Sequence, residues 1–205
     1  MAAKTLEEVL YSIFQGESNA SNRYSAFGKA SSNKAIQKVF STTSFAEKIH
    51  AEKMRKLALR SGLDMTKFVP QLNPVEPLTD KENLEAGIKG EVYESTILYP
   101  QLAQVAVEQK NKLVSETVNS LGKVETEHAK LFQDIIDNFL NKPDAEVTFY
   151  ICPSCGNIYR DKAPETCETC GGSGKMFQKY WCNNLYILLY NFIYNNIIDL
   201  MIKIC

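Results

Sequence analysis

The sequence predicts a mainly α-helical protein, in which a four-helix bundle is followed by a small cysteine-rich metal-binding domain. Three observations support this prediction. Apolar residues recur at helical spacing along four long segments in the first 142 residues. The two histidines of the chain, His50 and His128, each close a Glu-x-x-His motif in one of these segments. Four of the six cysteines then form two Cys-x-x-Cys pairs near the C-terminus.

Size and composition argue against several classes of function. A chain of 205 residues can form one medium domain and a small one, and it can bury a substantial core. The net charge of −1 at pH 7 makes neither nucleic acid nor an anionic membrane an evident partner. The polar N-terminal segment predicts no signal sequence, and paired cysteines favour a metal site over a disulfide framework. We therefore expect a cytoplasmic protein.

Two helices form the first predicted hairpin. The first spans residues 4–30 and the second spans residues 33–61. Gly62 is suited to end the second helix, because glycine readily adopts the left-handed conformation found after a helix C-terminus. The apolar stripes consist of Leu6, Val9, Leu10, Ile13, Ala20, Tyr24 and Phe27 in the first helix, and of Ile36, Val39, Phe40, Thr43, Met54 and Leu57 in the second.

A proline-rich connection separates this hairpin from the next one. Pro70, Pro74 and Pro77 lie within eight residues, and a helix cannot continue through them. The connection is long enough to cross the length of a bundle. Two helical hairpins joined by one long crossover predict a ferritin-like four-helix bundle, which we assign to residues 1–142.

The second hairpin contains the third and fourth predicted helices. The third begins at a predicted capping box formed by Thr79 and Glu82, and it runs to about Lys110. Pro100 lies inside this helix, removes one backbone hydrogen bond and should kink it. The fourth helix follows a tight break after Lys110 and ends before Pro143.

Acidic residues occupy apolar register positions in all four helices. Burying an isolated carboxylate is so costly that the group protonates, forms an ion pair or binds a metal. The alternative, a bundle whose acids face solvent, requires the same coincidence in four helices. Carboxylate and imidazole together suit iron, manganese or zinc, and ligand type alone does not choose among them. The candidate ligands, which could hold two ions with bridging carboxylates, are Glu17, Glu47, His50, Glu91, Glu94, Glu125 and His128.

The cysteine pairs predict a second metal site. Cys152, Cys155, Cys167 and Cys170 have the spacing Cys-x2-Cys-x11-Cys-x2-Cys. Paired thiolates of this kind form a tetrahedral sulfur site for zinc or for iron. From spacing alone, a structural zinc ribbon is at least as good an interpretation as an iron centre. A domain as small as residues 147–180 is expected to need its metal to fold.

Three segments of the chain resemble those of a known family. The first helix contains Gly16-Glu17-Ser18-Asn19-Ala20 and Asn22-Arg23-Tyr24, and the third contains Gly90-Glu91-Val92-Tyr93-Glu94 followed by Tyr99-Pro100. Together with the cysteine-rich end, these motifs resemble rubrerythrin, a non-haem iron peroxidase with a rubredoxin-like domain. The resemblance covers about residues 4–180. It favours iron over zinc at the four cysteines.

The resemblance also implies roles for the acidic and histidine residues. Glu47 and Glu125 would bridge the two irons of a di-iron site. Glu91 and His128 would complete the coordination of one iron. Glu17 would bind the other iron.

A ligand exchange and two tyrosines follow from the same resemblance. In the family, one iron exchanges a carboxylate for a histidine on reduction, and these ligands would here be Glu94 and His50. Tyr24 and Tyr99 match tyrosines near the family's site. As an alternative, buried tyrosines more often simply pack and satisfy their hydroxyl groups. The four cysteines would hold the single iron.

The function implied by the resemblance is the reduction of hydrogen peroxide to water. Electrons would pass through the cysteine-bound iron from an external donor, either a reductase or rubredoxin. The family places this iron near the di-iron site of a neighbouring subunit, which implies a head-to-tail homodimer. Two alternatives remain at this point: a ferroxidase or iron-storage protein on the same bundle, and a zinc-ribbon interaction module attached to a helical domain.

The last 25 residues do not follow the family pattern. Residues 181–205 are rich in apolar side chains and asparagine. The apolar stretch at 185–202 is short for a membrane span, and Asn195 and Asp199 disfavour insertion. We therefore expect no membrane span, and either a docked helix or a tail without a selected function. Two further cysteines in this segment lack paired spacing and are not expected to be ligands, namely Cys182 and Cys205.

Overall fold

A computed structural model describes residues 5–180 of the protein, so the predictions for the tail at 181–205 lie outside the described residues. Within the described range, four long helical segments form the predicted ferritin-like bundle. The third of these segments contains two α-helices separated by a π-helical turn at Glu94–Leu98. The α-helices are α1 Leu6–Ala30, α2 Lys34–Arg60, α3 Asp80–Tyr93, α4 Tyr99–Glu108 and α5 Lys112–Phe139.

Local side-chain contacts set several helix ends. Thr5 and Glu8 form a capping box at the start of α1. The predicted capping box of Thr79 and Glu82 is present at the start of α3. Gly62 follows the end of α2 with a φ of 72°, as predicted for a left-handed residue at a helix C-terminus.

A π-helical turn precedes Pro100 in the third segment. The sequence predicts a kink at this proline, because its ring lacks an N–H and crowds the preceding turn. In the structure the backbone N–H of Tyr99 bonds to the carbonyl oxygen of Glu94, five residues earlier, and the helix then continues as α4. Such π-helical turns are frequent at functional sites. This one begins at Glu94, which is a predicted ligand.

The core of the bundle consists of two apolar clusters, one on each side of the acidic residues. The first cluster contains the packed rings of Tyr24, Phe40 and Phe132, whose centroids lie 5.2–5.9 Å apart. The second contains residues such as Leu10 and Leu121. Their positions place the acidic residues midway along the bundle, between two layers that exclude water.

The cysteine-rich domain contains a small antiparallel sheet. Its strands are β1 Phe149–Ile151, β2 Ile158–Arg160 and β3 Gln178–Lys179, in the spatial order β2-β1-β3. Tyr150 in β1 lies opposite Tyr159 on one side and Lys179 on the other. Phe149 and Ile151 belong to the same buried cluster as residues of α1 and α2. The domain therefore packs directly on the bundle.

The length and apolar character of the described helices indicate whether any of them could span a membrane. Among residues 5–180, no helix combines the length and the apolar character that a membrane span requires.

Candidate metal centres

The structure brings all seven predicted acidic and histidine ligands together in the middle of the bundle. Helix α1 contributes one of them, α2 and α5 contribute two each, and the third segment contributes the last two. Each side chain is at most 6% exposed. In order along the chain, these residues are Glu17, Glu47, His50, Glu91, Glu94, Glu125 and His128.

Four of these side chains converge on one point. The Nδ1 atom of His50 lies 3.0 Å from Glu47 Oε2, 2.9 Å from Glu125 Oε1 and 3.9 Å from Glu17 Oε2. One donor atom from each of the four residues lies within 4.8 Å of the others. This arrangement can surround a single cation.

A second group of four lies beside the first and shares two members with it. The Nδ1 atom of His128 lies 3.2 Å from Glu47 Oε1, 3.1 Å from Glu125 Oε2 and 3.9 Å from Glu91 Oε2. Glu47 and Glu125 therefore direct one oxygen at each imidazole. Two carboxylates shared in this way can bridge two cations.

The unpartnered atoms of the cluster test whether metal ions fit it. Both carboxylate oxygens of Glu47 and of Glu125 are buried without a hydrogen-bond partner, and so are the Nδ1 atoms of both histidines. Each buried polar atom left unpaired costs about 1–3 kcal/mol. Two divalent cations would satisfy these atoms with the oxygen and nitrogen ligands that such ions take in carboxylate–histidine sites. The donor set therefore fits a two-metal site.

Without metal ions, the cluster balances its charge with protons. Burial and the neighbouring carboxylates raise the pKa of Glu17, Glu91 and Glu94 well above the usual range. Burial alone would raise the pKa of Glu47, but the adjacent imidazoles hold it below its usual value. Burial would lower the pKa of His50, yet the surrounding carboxylates raise it to about 10. In the metal-free state, these protons neutralise negative charge that bound cations would otherwise neutralise.

Two buried tyrosines donate hydrogen bonds to the cluster. The hydroxyl of Tyr24 donates to Glu91 Oε1 at 2.6 Å, and the hydroxyl of Tyr99 donates to Glu17 Oε1. Burial and the nearby carboxylates raise the pKa of both tyrosines well above the usual value, so both hydroxyls stay protonated. Each tyrosine thus fixes one carboxylate oxygen and leaves the other directed at the cluster.

Glu94 lies near the cluster but outside both groups of four. Its side chain is 6% exposed, and its Oε2 atom has no hydrogen-bond partner. His50, by contrast, faces Glu17 from within the first group. The structure therefore places His50 in the first group of four with Glu17, while the carboxylate of Glu94 lies outside that group but close enough to raise the pKa of Glu17 beyond the effect of burial.

The four predicted cysteine ligands also converge. The Sγ atoms of Cys152 and Cys170 lie 3.6 Å apart, as do those of Cys155 and Cys167. A tetrahedral site with metal–sulfur distances of about 2.3 Å has sulfur–sulfur edges of about 3.8 Å, so the donor set fits one metal ion. The neighbouring thiol of Cys155 lowers the pKa of Cys152 to about 5, which favours a thiolate.

The surroundings of the sulfur site differ between its two sides. Three of its cysteines are buried, whereas Cys170 is exposed. The rings of Tyr159 and Phe177 pack against each other at 5.2 Å and against the cysteine cluster. Tyr150 in β1 lies outside this cluster. Solvent therefore reaches the sulfur site from the Cys170 side.

The two candidate metal sites are connected by hydrogen bonds. The Nε2 atom of His50 lies 2.8 Å from the carbonyl oxygen of Cys155, and that of His128 lies 3.1 Å from the carbonyl oxygen of Gly156. Since carbonyl oxygens only accept, Nε2 carries the proton in each ring. Nδ1 is then the ring nitrogen that can bind a metal, once the cation displaces the proton that Nδ1 carries in the metal-free state.

Sequence reasoning missed two features of the site. The carbonyl groups of Cys155 and Gly156 carry no signal in the sequence, because any residue supplies a carbonyl. The guanidinium of Arg23 lies 5.2 Å from the ring centroid of Tyr24 and places a positive charge near Glu91. Its position next to Tyr24 in the first-helix motif was the available signal.

The family profile, the related sequences and the solved structures that match this chain all belong to rubrerythrins or to nigerythrin. The sequence profile of the rubrerythrin family matches residues 8–136. The chain is 35% identical to rubrerythrin-1 of Clostridium acetobutylicum, over 82% of this chain and 89% of that protein. It is 30% identical to rubrerythrin of Nitratidesulfovibrio vulgaris, over 80% and 88% of the two chains. The solved structure of fully reduced nigerythrin matches with a TM-score of 0.78 at 26% identity and covers 88% of this chain and 89% of its own.

Proposed function

Because this chain belongs to the rubrerythrin family, we propose that it is an oxidoreductase that reduces hydrogen peroxide to water. Proteins of this family hold a di-iron site and an iron bound by four cysteines, and the chain contains both sets of donors. The observation that carries the proposal is the hydrogen bond between His50 and the carbonyl oxygen of Cys155. It links a candidate ligand of the di-iron site to a candidate ligand of the sulfur site.

The proposed ligands of the di-iron site follow the two groups of four. Glu47 and Glu125 would bridge the two irons, since each directs one oxygen at each imidazole. Glu91 and His128 would complete the coordination of one iron. Glu17 belongs to the other, and its second oxygen accepts the hydrogen bond from a tyrosine.

Glu94 and His50 are the proposed exchange pair at that second position. The structure places His50 beside Glu17 and leaves Glu94 buried nearby without a partner for Oε2. Burial raises the pKa of Glu94, and its carboxylate is close enough to the cluster for Glu125 and Glu47 to raise it further. The π-helical turn that begins at Glu94 gives the backbone an irregular geometry at this point.

The chemistry of the reaction combines the metal ions with the protein environment. When bound, the two irons supply two electrons, and hydrogen peroxide with two protons becomes two molecules of water. Tyr24 and Tyr99 hold Glu91 and Glu17 in fixed orientations through their hydroxyl groups. The apolar clusters on both sides of the site keep bulk water from the reacting groups.

The cysteine site is the proposed relay that returns electrons to the di-iron site. Two consecutive carbonyl groups of its first Cys-x-x-Cys loop accept hydrogen bonds from His50 and His128. The exposed Cys170 lies on the side from which an external donor, a reductase or rubredoxin, can approach. An iron-storage protein has no evident need for such a relay, so the docked sulfur site favours peroxide reduction over storage.

The proposed head-to-tail homodimer is a separate question. The family resemblance implies that the sulfur site of one copy serves the di-iron site of another. Here the sulfur site already contacts the acidic cluster of its own chain through His50. A close approach of the two sites therefore does not require a second copy, and light scattering of the purified protein tests whether a dimer forms.

Replacement of a bridging carboxylate tests the proposed function. Glu47→Ala should reduce peroxide turnover by the iron-loaded protein to background, because both groups of four lose a shared ligand. Glu52→Ala on the same helix is the matched control, since that side chain pairs with Arg55 away from the cluster. Consumption of peroxide at the wild-type rate by Glu47→Ala would refute the proposal.

Visible absorption distinguishes the proposed peroxide reductase from a zinc-ribbon interaction module. A ferric ion bound by four thiolates absorbs strongly in the visible range, whereas zinc at the same site is colourless. A colourless, iron-free protein from its native source would contradict the proposed function.

A further inference from the structure

The first Cys-x-x-Cys loop meets the imidazoles of the bundle through two successive residues. Gly156 follows Cys155 directly, and the two successive carbonyl oxygens accept from the two imidazoles that face the acidic cluster. The loop is held in shape by its own backbone, because the N–H of Gly156 donates to the carbonyl oxygen of Cys152 at 2.8 Å. The distance between the sulfur site and the acidic cluster is therefore set where this loop meets the imidazoles.

Gly156 leaves no room for a side chain at this contact. A Cβ atom added to it would lie 2.6 Å from Nε2 and 3.1 Å from Cδ2 of His50, and 3.4 Å from Cβ of Ala46. Separations below 3.0 Å require one of the two groups to move. Glycine is therefore the residue that allows the loop to approach this closely.

His50 is not free to move away. Its ring is fully buried, and its Nδ1 atom lies 3.0 Å from Glu47 and 2.9 Å from Glu125. Any shift of the imidazole would carry Nδ1 away from both shared carboxylates. An added side chain at Gly156 would therefore displace the cysteine loop rather than the histidine.

The second Cys-x-x-Cys loop provides an internal comparison. Gly171 follows Cys170 as Gly156 follows Cys155, and the two glycines have similar left-handed φ values of 73° and 81°. A Cβ atom added to Gly171 would meet nothing within 4 Å. Both loops thus require a left-handed residue, but the loop that faces the bundle also requires the absence of a side chain.

We propose that Gly156 is a positioning residue for electron transfer, because its missing side chain lets the sulfur site contact the imidazoles of the acidic cluster. The inference rests on the proposed function, since it assigns the relay between the two iron sites to this contact. Gly156 acts through His50 and His128 and does not itself touch the reacting atoms.

The test compares matched substitutions in the two loops. Gly156→Ala and Gly171→Ala both place alanine in a left-handed conformation, but only the first meets His50. Iron-loaded, fully reduced protein is mixed anaerobically with a slight excess of hydrogen peroxide, and the return of the visible absorption of the ferric tetrathiolate is followed. We expect Gly156→Ala to slow this step and Gly171→Ala to leave it near the wild-type rate, because only the first substitution brings a side chain against His50 and displaces the loop that carries the sulfur site.

A second pair of variants controls for loss of folding caused by backbone strain. A second measurement, hydrogen exchange, does not depend on the reaction with peroxide. Gly156→Asn and Gly171→Asn place a residue that tolerates the left-handed conformation at the two positions, so backbone strain is smaller. Hydrogen exchange of the α2 peptide around His50 should be faster in the Gly156 variants than in the Gly171 variants, because the loop no longer covers it.

The outcomes separate the inference from the proposed function. Equal reoxidation rates and equal hydrogen exchange in the Gly156 and Gly171 variants would overturn the role of Gly156. Wild-type protein whose ferrous tetrathiolate is not reoxidised by peroxide would overturn the proposed function, while the exchange comparison would still decide whether Gly156 positions the loop.

Discussion

The imidazole of His50 contacts both candidate metal sites at once. Its Nε2 atom lies 2.8 Å from the carbonyl oxygen of Cys155, and its Nδ1 atom faces two shared carboxylates of the acidic cluster. Helix α2 presents this ring from the interior of the bundle, and the cysteine-rich domain covers it. The contact makes the relative position of the two sites a property of the fold, with specific consequences for variants.

Removal of the Tyr99 hydroxyl should destabilise the protein and impair turnover. In Tyr99→Phe, Glu17 loses the donor to Oε1, and a buried acceptor left unpaired costs about 1–3 kcal/mol. Urea unfolding of the metal-free protein measures this loss. Tyr93→Phe in the same helical segment is the control, because Tyr93 is 54% exposed. Equal stability of the two variants would show that the hydroxyl of Tyr99 contributes nothing.

Loading of the acidic cluster with divalent metal should release protons. The pKa values of Glu17, Glu91 and Glu94 are raised in the metal-free state, so these groups carry protons that a bound cation displaces. Protons compete with the metal, and apparent affinity should therefore fall as the pH is lowered through the range in which these raised pKa values lie.

This pH dependence is measured on protein whose four cysteines are already metal-loaded, so that thiol protons do not contribute. Titration with ferrous iron under anaerobic conditions gives the affinity, and an indicator dye in weak buffer reports the released protons. An affinity that does not change with pH would contradict a protonated cluster.

Loss of one cysteine ligand should remove the sulfur-site iron while leaving the bundle site loaded. Cys170→Ala removes one of four converging Sγ atoms, so the visible absorption of a ferric tetrathiolate should disappear. Cys205→Ala changes a cysteine without paired spacing and should retain the colour. Iron analysis should give one iron fewer in Cys170→Ala alone. Loss of colour in both variants would place Cys205 among the ligands.

Truncation of Phe132 should weaken the apolar layer beside the cluster. Its ring packs against Tyr24 and Phe40 at centroid distances of 5.2 and 5.3 Å and is fully buried. Replacement of a buried phenylalanine by alanine typically costs about 3–5 kcal/mol. Denaturant unfolding of Phe132→Ala measures the loss, with Val107→Ala as a control at a position that is 62% exposed. A loss similar to that of the control would mean that the layer repacks.

The helices and the convergence of the acidic side chains were predictable because their signals are local. The capping box of Thr79 and Glu82 and the left-handed Gly62 are read from neighbouring residues, and both are present. Glu17 and Glu125 were found because each interrupts an apolar stripe. Helical periodicity converts such a stripe into a buried face, so the sequence alone could place these acids inside the bundle.

Contacts between distant segments could not be read in the same way. The approach of Gly156 to His50 depends on how the cysteine-rich domain packs on α2, and no periodicity encodes it. The position of Glu94 outside both groups of four depends on side-chain rotation. The π-helical turn before Pro100 was not predicted, because a change in hydrogen-bond spacing carries no signal in the apolar pattern.

Anomalous diffraction at the iron edge from crystals of the fully reduced, iron-loaded protein tests the central assignment most directly. The account predicts two peaks within the bundle, each near one imidazole Nδ1 and both between Glu47 and Glu125, and a third peak among the four cysteine Sγ atoms. A bundle interior without two iron peaks, in crystals whose cysteine site is occupied, would contradict it.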